Sequence, residues 1–165
     1  MIGAVSHLVM HAFMKICGFF CVGAVMHQTD RNYLAEIEGL GRKMPVIFGC
    51  FTIAGISLAG IPPMAGFISK WNIGTAALMS ENPLGYAAMG VLLYSAFMTA
   101  IYMGVIILKA WFPRKTCTNT FSEKDRDPNW KMKLPILVFA CMLICLGLFS
   151  RPLVNVIKAI AYGNL

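Results

Sequence analysis

Charge is what this chain has least of. Only 13% of its 165 residues are Asp, Glu, Lys or Arg, while 58% are hydrophobic, against about 25% and 45–50% in soluble domains. A soluble globular domain is thereby excluded, and the composition reads as an all-α integral membrane protein. Cysteine chemistry is absent too: Cys17 and Cys21, like Cys141 and Cys145, are four apart in apolar stretches, Cys50 and Cys117 stand alone, and there is no C-x-x-C. That pattern specifies neither a disulfide framework nor a zinc or iron–sulfur site, and leaves the thiols as small packing residues. The chain has no Gly-rich nucleotide loop following a strand, no Met-x-x-Met cluster with His and no evident internal repeat, and a secretory leader is not expected from its first residues. No catalytic residue, bound cofactor or metal site is expected. The net charge of +7 does not point to nucleic acid, because the basic residues flank apolar spans and do not share a face with aromatics.

The apolar residues that remain fall into four expected crossings of one membrane domain, 1–165. A first span covers 4–27. An apolar region follows over 44–79, interrupted by Gly60-Ile61-Pro62-Pro63; two adjacent prolines remove two donors and clash with the preceding turn, so one continuous helix cannot pass. Spans at 84–112 and 134–149 are separated by a charged loop, 113–133, and the tail 150–165 is expected at the interface. Between the first two spans, Tyr33–Leu40 reads as a short amphipathic surface turn. If the broken region crosses once, the loops 28–44 and 113–133 share a side. They hold Arg31, Arg42, Lys43, Arg114, Lys115, Lys124, Arg126, Lys131 and Lys133, leaving the other side little but the turn at Glu81 and Lys158. The positive-inside rule then places the basic loops in the cytoplasm and both termini opposite. Arg151 and the stretch from Asp125 to Lys133 read as solvated charge.

Lys15 and Lys70 are the exceptions within the apolar spans. A charge at bilayer depth is costly, so such a residue faces a bundle interior or hydrated cavity and serves ion or proton movement. His7 and His11 precede Lys15 at steps of four; the three drift about 80° over roughly 12 Å of helix and can line one path. Imidazole exchanges protons near neutral pH, and two His without a third ligand make a poor zinc site. Lys70 lies shortly after the break, where backbone groups freed around Gly60, Pro62, Pro63 and Gly66 must be covered by protein or hydrated, as in transporter ion sites. The residues point to proton exchange along His7, His11 and Lys15 toward Lys70, with charge on one lysine acting on the other if they lie within about 10 Å.

The runs His7-Leu-Val-Met-His11-Ala-Phe-Met-Lys15, Gly39-Leu-Gly-Arg-Lys-Met-Pro45 and Gly60-Ile-Pro-Pro-Met-Ala-Gly-Phe-Ile-Ser-Lys70-Trp71 resemble the antiporter-like membrane subunits. These include the proton-pumping subunits of respiratory complex I, their membrane-bound hydrogenase counterparts and the large subunits of Mrp-type cation/proton antiporters. The resemblance implies a fold of two inverted five-helix repeats, each with a broken helix and a buried lysine. By position, Lys15 is similar to the central-axis lysine, His7 and His11 to the histidines before it, and Lys70 to the lysine of the second broken helix. Family members are about three times longer, so the chain is expected to be the second repeat, a C-terminal portion of such a subunit. The function this resemblance implies is proton translocation beside other membrane subunits, in an NADH:quinone oxidoreductase-type or hydrogenase-type translocase, with no redox centre in this chain. Two alternatives stay open: an Mrp-type antiporter subunit exchanging Na⁺ or K⁺, and a non-conducting structural subunit.

Overall fold

The computed structural model describes residues 2–80, 82–114 and 125–162. Glu81, the loop segment 115–124 with Lys115, Cys117 and Lys124, and the last three residues of the tail lie outside the described residues. Among the described residues there are six α-helices: α1 (Ile2–Thr29), α2 (Pro45–Ala59), α3 (Ala65–Leu78), α4 (Pro83–Trp111), α5 (Trp130–Leu148) and α6 (Ser150–Tyr162). α1, α4 and α5, with 28, 29 and 19 residues, are long and apolar enough to cross a membrane. α2 and α3, with 15 and 14 residues, fall short singly at 1.5 Å per residue.

Together they run alongside α1 as two half-length helices end to end. Glycines record the register, because each lets a neighbouring backbone or side chain approach. Gly3 of α1 lies against Asn72 and Ile73 of α3, and Gly66 at the start of α3 lies against Met14 in the middle of α1. α2 and α3 therefore run in sequence, antiparallel to α1, with the break at mid-length. α4 repeats the pattern on another side: Gly74 of α3 meets Met89 and Leu92, Gly55 of α2 meets Ile107, and Trp111 Nε1 donates to Thr52 Oγ1 at 3.1 Å.

α2 sits at the centre because it is apolar all round, the pattern of a helix covered on every side. Ile47, Phe48, Cys50, Phe51, Ala54 and Leu58 are buried, and α2 packs on α1, α4 and α5. α1 offers it Met10, Met14, Cys17 and Cys21, at helical spacing and all 2% exposed or less. α4 is peripheral, its outer face carrying exposed Val91, Tyr94, Phe97 and Ile101. α6 packs on α1 and α5, with Ile157 buried and Arg151 and Lys158 exposed.

The two basic loops meet at one end of the bundle. The chain turns through 34–39 into a 3₁₀ turn, Leu40–Arg42, where Leu40 is fully buried. Arg31 Nη2 pairs with Asp125 Oδ2 at 2.8 Å and its Nη1 donates to Glu36 O at 2.6 Å. Asp127 accepts from the backbone N–H groups of Val46 at 3.2 Å and Ile47 at 3.3 Å, two first-turn donors of α2 that its own cap residue, Met44, leaves unserved. This corrects the reading of 125–133 as solvated charge for its two aspartates: Asp125 is 5% exposed and pairs with Arg31 just past α1, and Asp127 serves the first turn of α2, while Arg126 and Lys131 are exposed as expected.

Candidate functional site

At the break, the last four carbonyls of α2 lose their helical partners, and at membrane depth protein must replace them. Gly60, at φ +87°, ends the helix in the left-handed conformation that glycine adopts without steric cost. Its N–H donates to Ser57 O at 3.1 Å and that of Ile61 to Ile56 O at 3.2 Å, the bond pair of a Schellman cap. Leu58 O and Ala59 O remain. Lys70 Nζ donates to both, at 2.9 and 3.1 Å. The ammonium of α3 thus sits on the negative end of the α2 dipole. None of the six helices contains Asp or Glu, so these carbonyls take the place a counter-ion would occupy.

Two glycines make this approach possible. A Cβ on Gly66 would overlap the Ser57 carbonyl oxygen, and one on Gly60 would stand 3.1 Å from Lys70 Cδ. Gly66 N–H donates to Ser57 Oγ at 3.3 Å, and Gly147 of α5 lies against the Pro63 carbonyl, closing part of the break. Pro62 and Pro63 themselves are exposed.

The histidines reach the break through a residue the sequence reading did not single out. His7 Nδ1 lies 2.9 Å from Ser69 Oγ, and Ser69 Oγ donates to Gly66 O at 3.2 Å; Ser69 is fully buried. The rings of His7 and His11 are 5.4 Å apart between centroids. Ser57 and Ser69 are polar positions flanking the break, and a register estimate pairing α1 with α3 would have flagged Ser69 at the depth of His7. Lys15 is placed differently. It is exposed on the outward face of α1 with no hydrogen bond among the described residues, near Gly18, where an added Cβ meets nothing within 4 Å. The structure brings His7, Ser69 and Lys70 together at the break with His11 beside His7, while Lys15, one turn beyond His11 on α1, is exposed. Among the described residues no group of His, Cys, Asp and Glu is arranged to hold a metal. A cavity of about 230 Å³ beneath the loop at 31–37 is lined by Val25, Met26, Phe48 and Phe51 and includes none of the path residues.

Comparison with known proteins gives a consistent result. Residues 1–99 match the family described as NADH:quinone oxidoreductase/Mrp antiporter, TM. The chain is 30% identical over 166 residues to NADH-quinone oxidoreductase subunit N of Desulforudis audaxviator, covering 94% of this chain and 32% of the relative. It is 31% identical over 151 residues to an Na⁺/H⁺ antiporter subunit of Alkalihalophilus pseudofirmus, covering 92% and 29%. Among solved structures it is similar to a chain of an archaeal respiratory membrane complex, the membrane-bound sulfane sulfur reductase, with TM-score 0.77 and 27% identity over 94% of this chain and 31% of that one. The chain spans about a third of the length of the relatives it matches.

Proposed function

The chain belongs to the NADH:quinone oxidoreductase/Mrp antiporter membrane family, and on that premise we propose that it moves protons across the membrane as part of an antiporter-like subunit of a larger complex. It is a multi-pass membrane protein. The observation that carries the proposal is the hold of Lys70 on Leu58 O and Ala59 O, one residue from the Ser69 that bonds His7. A lysine ammonium in that position is stabilised by the dipole of α2; after it gives up its proton the charge–dipole attraction is gone, so proton occupancy and the fit of α2 on α3 are coupled. Protons pass between His11, His7 and Lys70 within the bundle. Lys15, on the outward face of α1, continues the path toward a membrane segment outside this chain, contributed by the rest of the subunit or by a neighbour.

The spans 4–27, 44–79, 84–112 and 134–149 form one membrane domain with the tail, 150–165, at the interface. The end of the bundle where Arg31, Arg42, Lys43, Arg114 and Arg126 gather faces the cytoplasm, and both termini lie opposite. A second reading, exchange of Na⁺ or K⁺ for protons, is favoured by the likeness to the Na⁺/H⁺ antiporter subunit; without a carboxylate in any helix, its cation ligands come from other chains. Lys70→Met in the assembled complex, reconstituted in vesicles with a pH-sensitive dye, tests the proposal. Proton flux falls to background while assembly is unchanged. A variant that moves protons like wild type, or that loses only assembly, supports the structural-subunit reading instead.

A further inference from the structure

Ser69 has one hydroxyl proton and two neighbours that want it. Its Oγ lies 3.2 Å from Gly66 O and 2.9 Å from His7 Nδ1; Ser69 is fully buried and His7 half-buried. A carbonyl oxygen only accepts, whereas an imidazole nitrogen donates or accepts according to its tautomer. If the Ser69 proton points at His7, only that bond forms and the contact to Gly66 O is idle. If it points at Gly66 O, then Ser69 Oγ accepts from a protonated His7 Nδ1 and both contacts are hydrogen bonds. Buried polar groups settle in the arrangement that makes the most bonds.

We propose that Ser69 is a positioning residue that holds neutral His7 as its Nδ1–H tautomer, leaving Nε2 as the ring nitrogen that takes and returns the travelling proton. Its consequence for transport rests on the proton-path reading above; its consequence for the ring does not. The backbone of the break sets the tautomer, since the Gly66 carbonyl orients the Ser69 hydroxyl, which orients the imidazole. Gly66 is also the residue whose N–H is held by Ser57 Oγ at 3.3 Å, so a shift of α3 against α2 alters the hydrogen bond to His7. A proton on Nε2 makes His7 a cation with both nitrogens protonated, and Nδ1–H keeps its bond to Ser69 throughout; loss of the same Nε2 proton restores the starting tautomer without rotation of the ring.

The test is nitrogen-15 solid-state NMR of the full chain labelled at its three histidines in lipid bilayers, with His7→Gln identifying the His7 signals. At a pH where His7 is neutral, wild type shows a protonated Nδ1 and an unprotonated Nε2. Ser69→Ala, which removes one oxygen and adds no atom, shifts His7 toward the Nε2–H form; Ser69→Thr, which keeps the hydroxyl, restores the wild-type pattern. A wild-type ring already protonated at Nε2, or a pattern unmoved by Ser69→Ala, overturns the inference. In vesicles of the assembled complex Ser69→Ala lowers proton flux roughly tenfold or more, and Ser69→Thr recovers it. Wild-type flux in Ser69→Ala overturns the positioning role. Absence of flux in wild type overturns the proton-path reading and leaves the tautomer assignment to be judged by the spectra.

Discussion

The two ends of α2 are held by the same kind of contact in different surroundings. At its N-terminus, Asp127 accepts from Val46 and Ile47 N–H at 3.2 and 3.3 Å; at its C-terminus, Lys70 donates to Leu58 and Ala59 carbonyls at 2.9 and 3.1 Å. Each charge has the sign that complements its end of the helix dipole, and each is delivered by a different segment of chain. What differs is the alternative open to the backbone. The Asp127 end lies at the loop end of the bundle, where Val46 and Asp127 are half-buried and in reach of water although Ile47 is buried. The Lys70 end lies at mid-length of α1, where nothing outside the protein replaces a lost partner. One kind of interaction therefore supports stability in one place and, under the proposed function, becomes in the other a charge whose proton occupancy is coupled to the helix.

Breaking the inner end has the largest expected effect. Gly66→Ala drives a methyl into the Ser57 carbonyl, which is backbone and cannot step aside; a loss of about 3 kcal/mol is expected, measured as a lowered thermal midpoint in detergent and as reduced assembly. Gly60→Ala follows. It forces a side chain to φ +87° and places it 3.1 Å from Lys70 Cδ, costing about 1–2 kcal/mol, and because it displaces the lysine stem, proton flux falls more than the midpoint does. The outer end gives the smallest change: Asp127→Asn keeps the shape but loses the charge, for roughly 0.3–1 kcal/mol, with flux in vesicles close to wild type. If Asp127→Asn silenced flux while leaving the midpoint alone, the division between a stabilising end and a functional end would be wrong.

The break itself was readable from Gly60-Ile61-Pro62-Pro63, because two prolines remove donors wherever they stand. Lys70 was readable as well, since a charge in an apolar span demands a polar setting. Its partners were not: which carbonyls a side chain reaches depends on how α3 leaves the break, and the Schellman cap at Gly60 and Ile61 that frees Leu58 O and Ala59 O is a three-dimensional event. Asp127 was hidden for the same reason, lying 80 and 81 residues from the donors it serves. The outward face of Lys15 was half visible. Helical geometry gives its rotation from His7, but only the packing of α3 on α1 shows which face is covered. Ser69 stands beside Lys70 in the sequence, but a serine in a helix carries no signal until its register against His7 is known.

Lys70→Arg tests the central claim most directly, since a guanidinium keeps the charge and can cap the α2 carbonyls yet does not give up its proton in proteins. Measured as dye-reported proton flux in vesicles containing the assembled complex, the variant is expected to assemble normally and conduct at background level. Wild-type flux from assembled Lys70→Arg would contradict the account, because Lys70 would then be a structural cap and the protons would travel elsewhere.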